Sequence, residues 1–182
     1  MSFEILALDP SQHGTGWALL TETGELLNYG RIRDTEEGQP GEFRPALNIA
    51  DQVAQITREL RPSILVAERA WAGSNPKMTA GLERLAGAIA RAVSPVDLET
   101  LPTITWRAVL KLKPDEYPKG GKPTKAGKPR VRQDFKAPAM RLALKLWPDT
   151  ELRLGEPLTE ATVDAALVGL AWLRRRAKEA RA

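Results

Sequence analysis

Ile5-Leu6-Ala7-Leu8-Asp9, then Gly14-Thr15-Gly16, Trp17-Ala18-Leu19-Leu20, Thr23-Gly24 and Leu26 to Ile32, is the stretch that decides the fold. Phe3 to Asp9 reads as a short apolar strand, Gly14-Thr15-Gly16 as a turn, Trp17 to Leu20 as a second strand, and Leu26 to Ile32 as a third. Three apolar runs separated by glycine-bearing turns predict an antiparallel meander.

The pattern then changes. Ala46, Ile49, Ala50, Val53, Ala54 and Leu60 recur at helical spacing over residues 43 to 60. Pro62 ends that helix, and Ser63 to Glu68 is the continuous apolar run of a strand covered on both faces. Met78, Leu82, Leu85, Ile89 and Val93 mark a second helix, and Val96 to Leu101 a fifth strand. Thr105 reads as the cap of a short helix holding Trp106, Val109 and Leu110. Met140, Ala143, Leu144 and Trp147 stripe another helix, and residues 159 to 180 form the last, capped by Thr159. A meander followed by alternating helices and strands predicts one α/β domain over residues 1 to 182, its mixed sheet covered by helices on both faces.

Composition narrows the chemistry. Cysteine is absent, which excludes disulfides, thiolate zinc sites and a cysteine nucleophile. No apolar run approaches the ~20 residues of a membrane span, and Met1-Ser2-Phe3-Glu4 lacks the basic start of a secretory signal, so a cytoplasmic protein is expected.

Three acids end or interrupt apolar runs: Asp9 after Ile5 to Leu8, Glu68 after Ile64 to Ala67, and Asp164 within Thr162 to Leu170. A carboxylate in such a place is costly to desolvate without a partner. Each alone could be a strand-end or helix-cap acid at the surface. Three from distant parts of the chain suggest a shared partner, and a hard divalent cation suits an all-oxygen set. Glu160 lies four residues before Asp164, on the same side of the last helix. It is either a fourth ligand or an acid placed to favour the helix dipole.

Charge is concentrated elsewhere. Residues 111 to 136 carry nine Lys or Arg against three acids, leaving −2 on the rest of a chain whose net charge is +4. Four prolines and three glycines in the same stretch predict an extended, flexible basic insertion at about 111–135. It is a solvated linker unless an acidic metal site lies nearby, in which case a polyanion is the better partner.

With these residues on the page, the chain resembles the RuvC-type Holliday junction resolvases. Leu8-Asp9-Pro10-Ser11 with Gly14-Thr15-Gly16-Trp17 is similar to their opening motif. Val66-Ala67-Glu68-Arg69-Ala70-Trp71, with Asn75 seven positions after the acid, resembles the second. Thr79-Ala80 and Leu82 to Ala90 are similar to the small-residue helix that follows, and Asp164-Ala165-Ala166-Leu167 to the final motif. Lys136 falls where a basic residue opens the penultimate helix. The chain departs from the family at position 161, which is Ala where a second acid is usual, and in its longer basic loop, which points to a divergent, phage-type member.

The resemblance implies an RNase H-like fold: a five-stranded mixed sheet, antiparallel meander plus two parallel strands. It implies a homodimeric, structure-selective DNA endonuclease that resolves four-way junctions. Asp9, Glu68, Asp164 and Glu160 would hold two Mg²⁺, with Mn²⁺ able to substitute, and Lys136 would join them in catalysis. Lys111, Lys113, Arg130 and Arg132 would contact phosphates, with Lys77 and Arg84 weaker candidates. Trp71 is either core packing or an aromatic that stacks on a base at the branch point. Ala80, Gly81, Ala86, Gly87 and Ala90 suit either a dimer surface or tight packing on the sheet. The lone His13 reads as solvated. The alternatives are a non-catalytic RNase H-like nucleic-acid-binding module and an actin-like ATP-binding protein, whose phosphate loop Asp9 with Gly14-Thr15-Gly16 also resembles.

Overall fold

The computed structural model describes residues 3–11, 14–33, 44–69, 76–118, 131–150, 154–155 and 157–182. β1 (Glu4–Ser11), β2 (Gly14–Thr21) and β3 (Leu26–Arg33) form the antiparallel meander, followed by α1 (Arg44–Leu60), β4 (Ile64–Arg69), α2 (Pro76–Val93) and β5 (Leu98–Pro102). α3 (Thr103–Val109), β6 (Asp115–Pro118), β7 (Val131–Asp134), α4 (Lys136–Leu146) and α5 (Glu160–Glu179) complete the described elements. The five-stranded sheet runs β3-β2-β1-β4-β5, with β4 parallel to both β1 and β5. This is the RNase H-like arrangement the sequence implied.

The sheet separates two apolar layers. Ile5 and Ala7 of β1 and Ile64 and Val66 of β4 face α5, with Trp106 of α3 and Ala143 of α4 in the same cluster. Leu6 and Leu8 of β1 and Leu65 and Ala67 of β4 face Ile49 and Val53 of α1 and Leu85 and Ile89 of α2. Strands with both faces covered have no polar side, which is why Ile5 to Leu8 and Ile64 to Ala67 are unbroken apolar runs. Burying each large aliphatic side chain contributes ~1.5–3 kcal/mol.

Two local readings change. Gly14-Thr15-Gly16 is the start of β2 rather than a turn, with Asp9 paired to Gly16 across the ladder. A Cβ at Gly16 would lie 2.1 Å from the Ala161 carbonyl oxygen. The glycine is therefore clearance for α5 rather than a residue that bends the chain. The short helix begins at Thr103, not at a Thr105 cap; Pro102 precedes it without a side-chain cap. Proline suits that place because its fixed φ ends β5 without needing an N–H partner.

The basic insertion also has more structure at its ends than its composition suggested. Asp115 pairs with Asp134 and Pro118 with Val131 in a two-stranded antiparallel ribbon. The Asp115 carboxylate accepts from Arg141 of α4 at 2.8 Å, tying the ribbon to the domain. No helix among the described residues is long and apolar enough to cross a membrane.

Candidate active site

Parity in the sheet places two of the carboxylates. Asp9 continues the Ile5–Ala7 series of β1 and Glu68 the Ile64–Val66 series of β4, so both face α5. The parallel register pairs Leu8 with Ala67, and one step further the two acids stand side by side at the carboxyl ends of their strands. Ligand sites form at such strand ends because the next segments leave the sheet and open a crevice.

The third carboxylate arrives on α5. Thr159 caps that helix: its side chain accepts from the Thr162 N–H at 3.4 Å, while its own N–H donates to Thr162 Oγ1 at 2.8 Å. Residues 165 to 172 are buried, so the helix is fixed in rotation as well as position. Gly16 and Gly169 let it press against β1 and β2, since a Cβ at Gly169 would lie 2.8 Å from Ala7 Cβ. Asp164 is thereby held, half-buried, over the strand ends.

The cluster is under electrostatic stress. Burial first, then the Glu68 and Asp164 charges, lift the Asp9 carboxyl from 3.8 to about 8. A side-chain hydrogen bond between Asp9 and Glu68 favours the same protonated form. Burial, then Glu68, raises Asp164 from 3.8 to about 6. Arg107 opposes both shifts.

These residues fit a hard dication. All donors are carboxylate oxygens, and the burial and mutual repulsion that raise Asp9 and Asp164 are relieved by a cation among them. No group of three acids among the described residues is already closed tightly enough to hold an ion alone. Mg²⁺ does not require that, because it keeps several waters and takes one or two carboxylates together with substrate phosphate.

Two neighbours were not legible in the sequence. The Thr103 hydroxyl, first residue of α3, donates to Glu68 Oε1. It stands there because β4 and β5 are parallel and in register to Glu68–Leu101 and Arg69–Pro102. Arg107, one turn on, lies with its guanidinium carbon 4.1 Å from the Phe135 ring centre and 5.2 Å from that of Trp106. Its Nε is buried and has no hydrogen-bond partner.

The other sequence candidates divide. Lys136 Nζ is 2.6 Å from Glu160 Oε2, and both side chains are exposed beside the cluster. That contact raises the Lys136 pKa and leaves the Glu160 carboxylate committed to a cation of the chain itself. Lys111 and Lys113, just after α3, and Arg84 on α2 are exposed. Lys77 lies on α2 and Arg132 on β7. Trp71, Asn75, Arg130 and His13 lie outside the described residues.

Fold and site together define an RNase H-like protein whose carboxylates gather over the ends of adjacent parallel strands. No protein-family model matches the chain. It is 28% identical to the crossover junction endodeoxyribonuclease RuvC of Vibrio vulnificus over 180 residues, 97% of each chain. Its match to the RuvC of Methylobacillus flagellatus is 31% over 115 residues, covering 60% of this chain and 62% of that one. Among solved structures it is similar to Thermus thermophilus RuvC in complex with Holliday junction substrate, with TM-score 0.65, 13% identity and 96% of both chains covered. It is also similar to the yeast mitochondrial Holliday junction resolvase Ydc2, with TM-score 0.56, 13% identity, and 95% of this chain and 80% of that one covered. Over nearly its whole length, then, the chain is similar to RuvC crossover junction endodeoxyribonucleases in sequence and to RuvC structures in fold.

Proposed function

We propose that the protein is a divalent-metal-dependent endonuclease that resolves four-way DNA junctions by hydrolysing phosphodiester bonds. The observation that carries this reading is the meeting of Asp9, Glu68 and Asp164 in one half-buried, charge-stressed cluster. A non-catalytic binding module has no use for such a cluster, whose burial destabilises the fold.

Two Mg²⁺ ions, or Mn²⁺ in their place, held by Asp9, Glu68 and Asp164 would activate the attacking water and stabilise the leaving 3′ oxygen. The water oxygen bonds to phosphorus, the P–O3′ bond breaks, and the ends left are a 5′-phosphate and a 3′-hydroxyl. The chain's own residues prepare that event. Thr103 orients Glu68 through its hydroxyl, and α5 holds Asp164 in place. Glu160 holds Lys136 beside the site, where its ammonium can donate to a strand phosphate.

Affinity comes from the basic residues. Lys111 and Lys113, with Lys77, Arg84, Arg130 and Arg132, supply phosphate contacts, which bind DNA without reading sequence. Trp71 and Asn75, next to the β4 carboxylate in sequence, suit stacking and hydrogen bonding at the unstacked branch point. A junction has two-fold symmetry, and a homodimer would set one site on each opposed strand. Gly87 and Ala90 support α2 as its surface: a Cβ at Gly87 meets nothing within 4 Å, and Ala90 is exposed. The cytoplasm, where chromosomal DNA is handled, is the expected compartment.

The test is to incubate the protein with synthetic four-way junctions, forks and linear duplexes, with Mg²⁺ or with chelator. Paired nicks on opposed strands of junctions, dependent on the metal, are expected. Binding without cleavage in Mg²⁺ and in Mn²⁺ would return the chain to the class of binding modules.

A further inference from the structure

We infer that the far end of α5 is a second DNA-binding surface, on which Arg174, Lys178 and Arg181 grip the phosphates of a duplex arm away from the bond that is cut. The inference rests on the functional reading above for the presence of DNA and adds a contact outside the carboxylate site.

α5 crosses the domain from one end of the sheet to the other. It starts over the carboxyl ends of β1 and β4, where it carries Asp164. Further along, buried Trp172 donates from Nε1 to Glu99 Oε2 at 2.7 Å, near the amino end of β5, and stacks on Phe3, which precedes β1. Every residue from Arg174 onward is exposed. The helix therefore projects past the last side chain that anchors it. What it projects is basic, since residues 174 to 181 carry five Lys or Arg against one acid.

These cations are sorted by face. Arg175 Nε lies 2.8 Å from Glu179 Oε1, and the Arg176 guanidinium carbon lies 4.9 Å from the Trp172 ring centre. Both are committed within the chain. Arg174, Lys178 and Arg181 are exposed and have no ion pair among the described residues. At ~100° per residue they fall within about 60° of one another, on the side away from Trp172. Arg181 keeps to that line because its N–H donates to the Lys178 carbonyl oxygen at 3.2 Å after the helix ends. The helix dipole favours cations in the last turn, which accounts for Lys178 but not for Arg174 or for the shared face. Like charges at this spacing repel, a cost that an anion with charges in a row removes. A DNA backbone is that anion.

The stripe also extends a basic side of the molecule. α3 packs in the same layer as α5, starts beside Glu68 and leads to the exposed Lys111 and Lys113. A duplex arm leaving the site along that layer passes these lysines and then the end of α5. A rise of 1.5 Å per residue sets Arg174 about 15 Å and Arg181 about 25 Å from Asp164 along the helix. On duplex DNA that is roughly four to seven base pairs from the cut.

The experiment uses the full chain, with junction binding in Ca²⁺ measured against salt and single-turnover cleavage in Mg²⁺ at saturating protein. Arg174→Gln, Lys178→Gln and Arg181→Gln together are expected to weaken binding about 10–10²-fold near 0.1 M salt and to flatten the slope of log K against log salt by about 2–3. Arg174→Gln alone should flatten it by about 0.9. Melting and the cleavage rate at saturation should stay near the wild type, because none of the three touches the carboxylates. Arg175→Gln, whose cation is already paired with Glu179, should leave the slope unchanged. Uncharged methylphosphonates placed roughly four to seven base pairs from the cut should weaken binding by the wild type and not by the triple variant. An unchanged slope in the triple variant, or a methylphosphonate penalty as large there as in the wild type, overturns the inference. So does an equal loss in Arg175→Gln, which would make the effect one of net charge alone. A wild-type protein that binds junctions with this footprint and cuts none in Mg²⁺ or Mn²⁺ overturns the functional reading and leaves the inference standing.

Discussion

Lys136 Nζ lies 2.6 Å from Glu160 Oε2 and links the start of α4 to the first turn of α5 at the rim of the carboxylate cluster. The contact is exposed, so it contributes little to stability. Its meaning is positional: the acid nearest Asp164 in sequence faces a lysine, while Asp164 faces Asp9 and Glu68.

That difference sets the first expectation. Asp9→Asn, Glu68→Gln and Asp164→Asn should each nearly abolish metal-dependent cleavage while junction binding in Ca²⁺ persists, because each removes an oxygen charge next to the reacting phosphate. Glu160→Gln should cost much less, about tenfold or below, since it acts on Lys136 and only through space on Asp164. Single-turnover rates for the four variants check this. Equal losses in Glu160→Gln and Asp164→Asn would make Glu160 a ligand.

A second expectation concerns pH. With Asp9 raised from 3.8 to about 8 and Asp164 from 3.8 to about 6, the folded protein binds more protons than the unfolded chain between those values. Stability from this cluster is therefore greatest below the unfolded value near 3.8 and is lost as pH rises through about 6 and about 8. In chelator the melting temperature should fall between pH 5 and 8, and Mg²⁺ should remove the fall by neutralising the ionised acids. Asp9→Asn should flatten the chelator curve; a wild-type curve that rises instead would contradict the burial of Asp9.

Gly16 supplies a third. The Ala161 carbonyl oxygen stands 2.1 Å from where a Cβ would sit, and it is backbone, so the helix itself must move. Gly16→Ala should cost ~1–3 kcal/mol by overpacking, or roughly 2–10 °C in melting temperature for a chain of this size. It should also reduce cleavage in the fraction that stays folded, because α5 carries Asp164. Gly87→Ala, where a Cβ meets nothing, is the control and should melt unchanged or higher.

How far the sequence could be read follows from the same particulars. The sheet was legible because Ile5 to Leu8 and Ile64 to Ala67 must be apolar on both faces, and Asp9 and Glu68 break those runs at the ends of their strands. Glu160 could be placed beside Asp164 but not assigned a partner, because Lys136 lies 24 positions away. Thr103 and Arg107 carry no local signal. They matter only because β5 runs parallel to β4 and delivers α3 to Glu68, a relation that exists in the register and not in the residues. Gly16 misread as a turn residue because a strand glycine that clears a distant helix looks the same as one that bends the chain. Prolines and lysines hid the β6–β7 ribbon, whose ladder is short and whose anchor, Arg141 on Asp115, is again distant.

The last expectation tests whether the basic insertion grips DNA. Replacing residues 119–130 with a short turn across Pro118 and Val131 removes Lys119, Lys122, Lys125, Lys128 and Arg130 and leaves the ribbon and its Arg141–Asp115 ion pair in place. The core on both sides of the sheet is untouched, so melting should shift by no more than about 2 °C, since a charged proline- and glycine-rich stretch buries little apolar surface. Affinity for junction and duplex should both fall. The slope of log K against log salt should flatten by about 0.9 for each duplex phosphate that no longer meets a cation. Cleavage at saturating protein should stay near the wild-type rate, because the carboxylates, Thr103 and Arg107 all lie outside the deletion. An unchanged salt slope would show that these cations do not meet phosphate and that the insertion is a solvated linker.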